Sequence, residues 1–241
     1  GNAARGVATV QATYLLLDRA TGQALALLDG EALTLRRTAA ASALAARYLA
    51  RPDARSLLIV GSGHLARWMA HAHFALRPDL TRIRVWGRNA QARETLADAL
   101  AQEGLPALAC DDLQPAVRTS DIISCATTSQ TPLVLGDWLQ PGTHVDLVGA
   151  FKPDMRETDD AAIAMSRVYV DTYAGALAEA GDLVQPLRAG RFDRAHVIAE
   201  LAELVRGEKA GRVAASDITL FKSVGTALED LAAAQLVLQQ T

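Results

Sequence analysis

The chain has 241 residues, with 24 Lys+Arg against 27 Asp+Glu and a formal net charge of −3. With no basic block, it lacks the electrostatic footprint of a nucleic-acid binder. At roughly 100–200 residues per domain it makes one large domain or two modest ones, big enough to hold a core without disulfides or metal.

Two cysteines, Cys110 and Cys125, are too few for a disulfide framework and lack metal-ligand spacing. No stretch approaches the ~20 apolar residues of a membrane span, and no charged n-region followed by an apolar run opens the chain. Only Lys152, Lys209 and Lys222 among the cations are lysines, a compositional bias from which no function follows.

Residues 7–18 (VATVQATYLLLD) are rich in β-branched and apolar types, Arg19 to Gly22 reads as a turn, and residues 23–28 are apolar again. This is a hairpin signal. After Asp29-Gly30 the period changes, and residues 38–50 (TAAASALAARYLA) predict a helix. From Arg55 the chain alternates. Strands are predicted over 56–60, 83–86, 121–126, 144–148 and 168–171, and helices over 64–76 and 90–103, with Gly104 as a stop. The run at 56–60 (SLLIV) suits a strand buried on both faces. Helices are expected over 195–206 and 223–239. This alternation predicts βαβ units and a doubly wound parallel sheet, an α/β fold with extra elements at both ends. No internal repeat or low-complexity tract is present.

The sharpest local feature is Gly61-Ser62-Gly63-His64-Leu65-Ala66, which follows a predicted strand and opens a predicted helix. A dinucleotide's pyrophosphate needs close backbone approach, and a helix N-terminus offers free N–H groups and a positive dipole end. Gly61 would make the tight turn, Gly63 would leave room for phosphate, and the small Ala66 would let helix and strand pack closely. The plainer reading is a tight βα turn with no ligand, but the strand–loop–helix context favours the nucleotide. A serine-hydrolase elbow is excluded, since it needs G-x-S-x-G.

The end of the second strand distinguishes the cofactors: an acid there accepts from the NAD ribose hydroxyl, whereas an arginine meets the 2′-phosphate of NADP. Here it reads Trp86-Gly87-Arg88-Asn89, with no acid. Arg88 can pair with phosphate and stack on adenine, which points to NADP, with NAD as the other option. Ala126-Thr127-Thr128 and Val148-Gly149-Ala150 end two further strands at the same carboxyl edge, where their small residues suit the nicotinamide side.

Taken together, Arg37-Thr38-Ala39-Ala40, GSGHLA, VWGRN, ATTSQTP, PGTHVDLVGA followed by RETD, and DITLFKSVGTALED resemble the ornithine cyclodeaminase/mu-crystallin family, in the family's order and over nearly the whole chain. The resemblance implies a Rossmann domain over 37–171, inserted into a substrate and dimerisation domain built from 1–36 and 172–241. It further implies a cytoplasmic homodimer acting on a small amino or imino acid. Carried over by motif, Arg37 would hold the substrate's α-carboxylate. Thr38, Gly61, Gly63, His64, Leu65, Arg88, Asn89, Thr127, Val148 and Val224 fall at cofactor positions. The family also carries a segment ahead of the residue equivalent to Gly1, including a lysine that contacts substrate. The chain opens Gly1-Asn2-Ala3, so this part is expected to be missing here.

The family's cyclodeaminases carry an acid just after the Gly-Gly or Gly-Ala pair; here that position is Phe151, which can neither accept a proton nor stabilise a cation. The expectation is therefore an NAD(P)H-dependent reductase of small cyclic imino acids such as pyrroline-2-carboxylate or piperideine-2-carboxylate. The alternatives are an ornithine cyclodeaminase or amino-acid dehydrogenase, and a crystallin-like protein that binds the dinucleotide without turnover. No residue identifies itself as the proton donor.

Other polar residues read as structural. His64, His71 and His73 lack zinc spacing, and His144 opens a strand. Glu157, Asp159 and Asp160 suit a helix N-terminal anion set. Asp182 could face the pocket, and Leu220 and Phe221 are expected in the core or at a dimer contact.

Overall fold

The computed structural model describes residues 11–240; residues 7–10 of the first expected strand lie outside that range. The hairpin forms from β1 (Thr13–Leu17) and β2 (Ala24–Asp29), paired antiparallel. Its turn is organised by the Asp18 carboxylate, which accepts from the Thr21 N–H at 2.8 Å and the Thr21 hydroxyl at 2.8 Å. Helix α1 (Gly30–Leu49) starts well ahead of residue 38. Asp29 accordingly takes the role of an N-cap, accepting from the Ala32 N–H at 3.0 Å.

The alternating region folds as β3 (Ser56–Val60), α2 (His64–Leu76), β4 (Arg82–Trp86), α3 (Ala90–Gln102), β5 (Ala107–Ala109), α4 (Leu113–Arg118), β6 (Ile122–Cys125) and β7 (His144–Leu147). Next come α5 (Asp160–Met165), β8 (Arg167–Val170), α6 (Tyr173–Glu179), α7 (Gly181–Arg188), β9 (Val197–Glu200), α8 (Leu201–Val205), β10 (Thr219–Lys222) and α9 (Ala227–Gln239). Gly104 ends α3 at φ +87°, as the sequence suggests. Among the described residues no helix is long and apolar enough to cross a membrane.

Eight strands make one sheet in the order β5-β4-β3-β6-β7-β10-β8-β9, and every pairing in it among the described residues is parallel. The chain leaves β3 in one direction toward β4 and β5, then returns to β3's other side with β6. This is the switch of a doubly wound sheet. Because successive side chains point to opposite faces, Leu57 and Ile59 enter a core with α2 and α3, while Leu58 and Val60 enter one with α4, α5 and α7. All four are fully buried, which explains the unbroken apolar run.

Two compact units result. One combines β1, β2, the start of α1 through Thr38, and α9; the other is Ala39–Gly225. The sequence placed the end of the sheet domain at residue 171. In the structure β9 and β10 extend the same sheet beyond it, so the second unit continues to Gly225. The helix expected over 195–206 is corrected: β9 occupies its middle, pairing with β8. A helix follows only from Leu201, started by a capping box between Glu200 and Glu203.

Candidate functional site

At the switch point, the carboxyl ends of β3, β4 and β6 enclose an open cleft of about 300 Å³. Gly61, Gly63, Arg88, Asn89 and Thr127 line it together with Trp86. Five of the sequence-predicted cofactor residues are therefore brought to one place, while Val148 lies outside this cleft.

The two glycines of the loop do different work. Gly61 has φ +129°, and a Cβ added there would stand 2.6 Å from the Ala126 carbonyl oxygen. Its N–H donates to the Trp86 carbonyl at 2.8 Å. Gly61 is thus fixed by how closely β3 and β6 approach, a requirement of the fold itself. Gly63 has φ −85°, which any residue can adopt, and among the described residues nothing lies within 4 Å of an added Cβ. Among the described residues, no protein atom takes the space beside Gly63. Gly63 at the N-cap of α2 offers no capping side chain, and the start of a helix favours an anion. Ala66 is fully buried beneath the loop, and Leu65 packs partly against the same core. His64 is exposed at the first helical position.

Arg88 is exposed and lines the cleft. Asn89 has its side-chain oxygen committed to capping α3, accepting from the Ala92 N–H at 3.0 Å, so only its amide N–H groups are free for a ligand. Trp86 is tied back by its indole N–H to the Asp111 carbonyl at 3.0 Å.

Beyond the cleft, Val148 is buried at the end of β7. Val224 follows β10 and is half-buried, and its N–H donates to Asp171 at 2.8 Å. Phe151, after Gly149-Ala150, is 43% exposed. In the first unit, Thr38 is buried. Arg37 lies in a double ion pair, Nε to Asp230 at 2.8 Å and Nη1 to Glu229 at 2.9 Å. Arg36 beside it is exposed. The Arg37–acid pairing had no sequence signal, because its members are far apart in the chain.

Two expectations need correction. Asp159 does cap α5, accepting from the Ala162 N–H at 2.9 Å, but Glu157 is no member of a helix-terminal anion set. It is fully buried and grips backbone N–H groups of Thr127, Gly149 and Ala150. Burial pushes its carboxyl up to about 7, opposed by the nearby charge of Lys222. Asp182 faces no cleft. It is fully buried, accepts from the Glu157 and Thr158 N–H groups, and lies 3.2 Å from Lys222 Nζ. His144 is structural as expected, its Nδ1 3.0 Å from the Thr219 hydroxyl.

A doubly wound parallel sheet whose switch point carries a glycine turn leading into a helix, beside an open cleft, defines a dinucleotide-binding α/β protein. The sequence profile of the ornithine cyclodeaminase/mu-crystallin family matches residues 1–241, and the chain belongs to that family. It is 42% identical to a Delta(1)-pyrroline-2-carboxylate reductase of Paracoccus denitrificans, over 98% of this chain and 75% of the relative. Its fold superposes with a TM-score of 0.96 on the Delta(1)-pyrroline-2-carboxylate reductase of Thermococcus litoralis solved with NADH and L-proline. That match has 38% identity and covers 99% of this chain and 74% of the other. An archaeal alanine dehydrogenase dimer with bound NAD follows with a TM-score of 0.93 and 29% identity, covering 99% of this chain and 73% of the other.

Proposed function

We propose that the protein is an NAD(P)H-dependent reductase of small cyclic imino acids, taking pyrroline-2-carboxylate or piperideine-2-carboxylate to proline or pipecolate. The observation that carries this reading is the open space beside Gly63 at the switch point, where the fold has no need of a glycine. Phe151, in place of the cyclodeaminase acid, favours reduction over ammonia release. The reductases of Paracoccus and Thermococcus named above support the same class.

When bound, the nicotinamide supplies hydride for the C=N carbon, and a proton taken up at nitrogen completes the amine. The chain's part is to hold and orient. Gly63 and Leu65 would present backbone N–H groups to the pyrophosphate, with Gly61, whose N–H is spent on the Trp86 carbonyl, making the turn and His64 opening the helix at the cofactor. Arg88 and Asn89 would meet the adenosine ribose, with Arg88 pairing a 2′-phosphate, so NADPH is the preferred donor in this reading. Thr127, Val148 and Val224 would border the nicotinamide, and Thr38 would join the cofactor contacts. Arg37 would take the substrate carboxylate, for which a planar guanidinium suits; its Nη2 makes no hydrogen bond among the described residues.

The protein is read as a homodimer. Leu15 and Leu27 are direct cross-strand partners on the hairpin, 52% and 71% exposed, with Leu17 and Leu25 also exposed. Such an apolar face marks an interaction surface. The archaeal alanine dehydrogenase is itself a dimer. The unpaired cysteines suit a reducing, cytoplasmic compartment.

The test is to mix the protein with NADPH or NADH and pyrroline-2-carboxylate and follow the loss of reduced-nicotinamide absorbance. Oxidation of the nucleotide is expected. Ammonia release from ornithine with NAD would instead favour a cyclodeaminase, and nucleotide binding without any turnover a crystallin-like protein.

A further inference from the structure

We infer that Glu157 is a positioning residue for the nicotinamide end of the site, acting through the backbones of Thr127 and Gly149; the inference rests on the reductase reading above. Thr127 follows β6 and Gly149 follows β7, two neighbouring strands. Glu157 sits between their carboxyl ends. Its Oε1 accepts from the Thr127 N–H at 2.7 Å. Its Oε2 accepts from the Gly149 N–H at 2.7 Å and the Ala150 N–H at 3.3 Å. One carboxylate thus ties two loops together with both oxygens. The fit is tight, since a Cβ on Gly149 would stand 1.9 Å from the Thr127 carbonyl oxygen and 2.4 Å from Glu157 Oε1.

Glu157 is held in turn. Asp182, at the start of α7, accepts from the Glu157 N–H at 2.8 Å and the Thr158 N–H at 3.0 Å. Its other oxygen lies 3.2 Å from Lys222 Nζ at the end of β10. All three side chains are fully buried. Neither Lys222 Nζ nor Asp182 Oδ2 has an aligned hydrogen-bond partner among the described residues, so the lysine works as a counter-charge to the two acids.

Isolated buried ions are unfavourable, and apolar side chains would fill the same volume at less cost. Retaining three of them beneath two loops makes sense if the loops must be held at fixed spacing, as pre-organised sites require. Thr127 belongs to the wall of the cleft, so Glu157 acts on the site from behind without touching the ligand.

The test is Glu157→Gln in the full chain. An amide has one acceptor oxygen, and its NH₂ would face the second loop's N–H, so the loops can no longer both be held. Binding of NADH should weaken about tenfold, as expected for losing a hydrogen bond to a charged group. ADP-ribose, which lacks the nicotinamide, should bind as to wild type, and kcat should fall more than the substrate KM rises. Equal weakening of both nucleotides would indicate a merely structural role and overturn the inference. So would unchanged NADH binding and kcat.

Should the variant not fold, amide hydrogen exchange on the wild type decides. Thr127 and Gly149 should exchange slowly, and more slowly still with NADH but not with ADP-ribose. Fast exchange, or indifference to NADH, would overturn the inference. A wild-type protein that binds neither nucleotide would overturn the reductase reading and the inference with it. Wild-type binding matched by the variant would overturn the inference alone.

Discussion

Gly61 and Ala126 meet backbone to backbone at the switch point, with 2.6 Å between an added Cβ on the one and the carbonyl oxygen of the other. The same loop carries Gly63, whose added Cβ would meet nothing among the described residues. The pair separates what the fold needs from what a ligand needs.

Gly61→Ala should therefore destabilise the protein by roughly 1–3 kcal/mol or more, through strain at φ +129° and the clash. Gly63→Ala should leave thermal stability unchanged or slightly raised, by less than about 1 kcal/mol, while cutting NADH and NADPH affinity at least about tenfold through lost approach to phosphate. Denaturant melts and fluorescence titrations of both variants check this. A Gly63→Ala protein that binds nucleotide normally would contradict it.

Arg88 is exposed and lines the cleft, so Arg88→Ala should act on the ribose end alone. NADPH affinity should fall by about tenfold or more, as for loss of a charge-assisted pair, with NADH little changed. Comparing the two dissociation constants tests the choice of cofactor, and equal losses would argue against a 2′-phosphate contact.

The sheet around this cleft was legible because its signals are local. Residues 56–60 and 64–76 coincide with β3 and α2, where a buried apolar run gives way to a helical period through glycine. Local signals failed where distant pairing decides. Val197–Glu200 is surrounded by good helix formers, yet its place beside β8 makes it a strand. Lys222 ends a strand buried between β7 and β8, and a lysine there gave no reason to expect one. Glu157 looked like a helix-end acid because its partners at Thr127 and Gly149 come from other loops. Arg37's pairing with Asp230 spans nearly the whole chain.

His144 sets a pH dependence of stability. Burial holds its imidazole down at about 3, from 6.5, with Asp146 opposing and His73, Arg212 and Arg77 reinforcing. Between those values the unfolded chain binds a proton that the native state refuses, so stability falls as pH drops below 6.5. The loss should reach about 2 kcal/mol at pH 5, near 1.4 kcal/mol per pH unit. Glu157, raised by burial, acts in the opposite sense between 4.5 and about 7, and it is common to wild type and a His144→Asn variant. Urea melts of both at two pH values isolate the histidine. The variant should show the shallower acid loss, and parallel curves would contradict the assignment.

Arg37→Lys keeps the charge but not the planar fork. In the proposed role it should raise KM for the imino acid by roughly tenfold and leave NADH binding within about twofold of wild type. Steady-state kinetics and nucleotide titration distinguish this from a purely structural part for the Arg37–Asp230–Glu229 cluster, whose loss would lower stability with KM unchanged.

The most direct measurement uses reduced nucleotide carrying deuterium at both positions of nicotinamide C4, with pyrroline-2-carboxylate as acceptor and mass spectrometry of the product. The account predicts proline with one deuterium at Cα and oxidised nucleotide in equal amount. Unlabelled proline, or no proline while the nucleotide stays reduced, would contradict it.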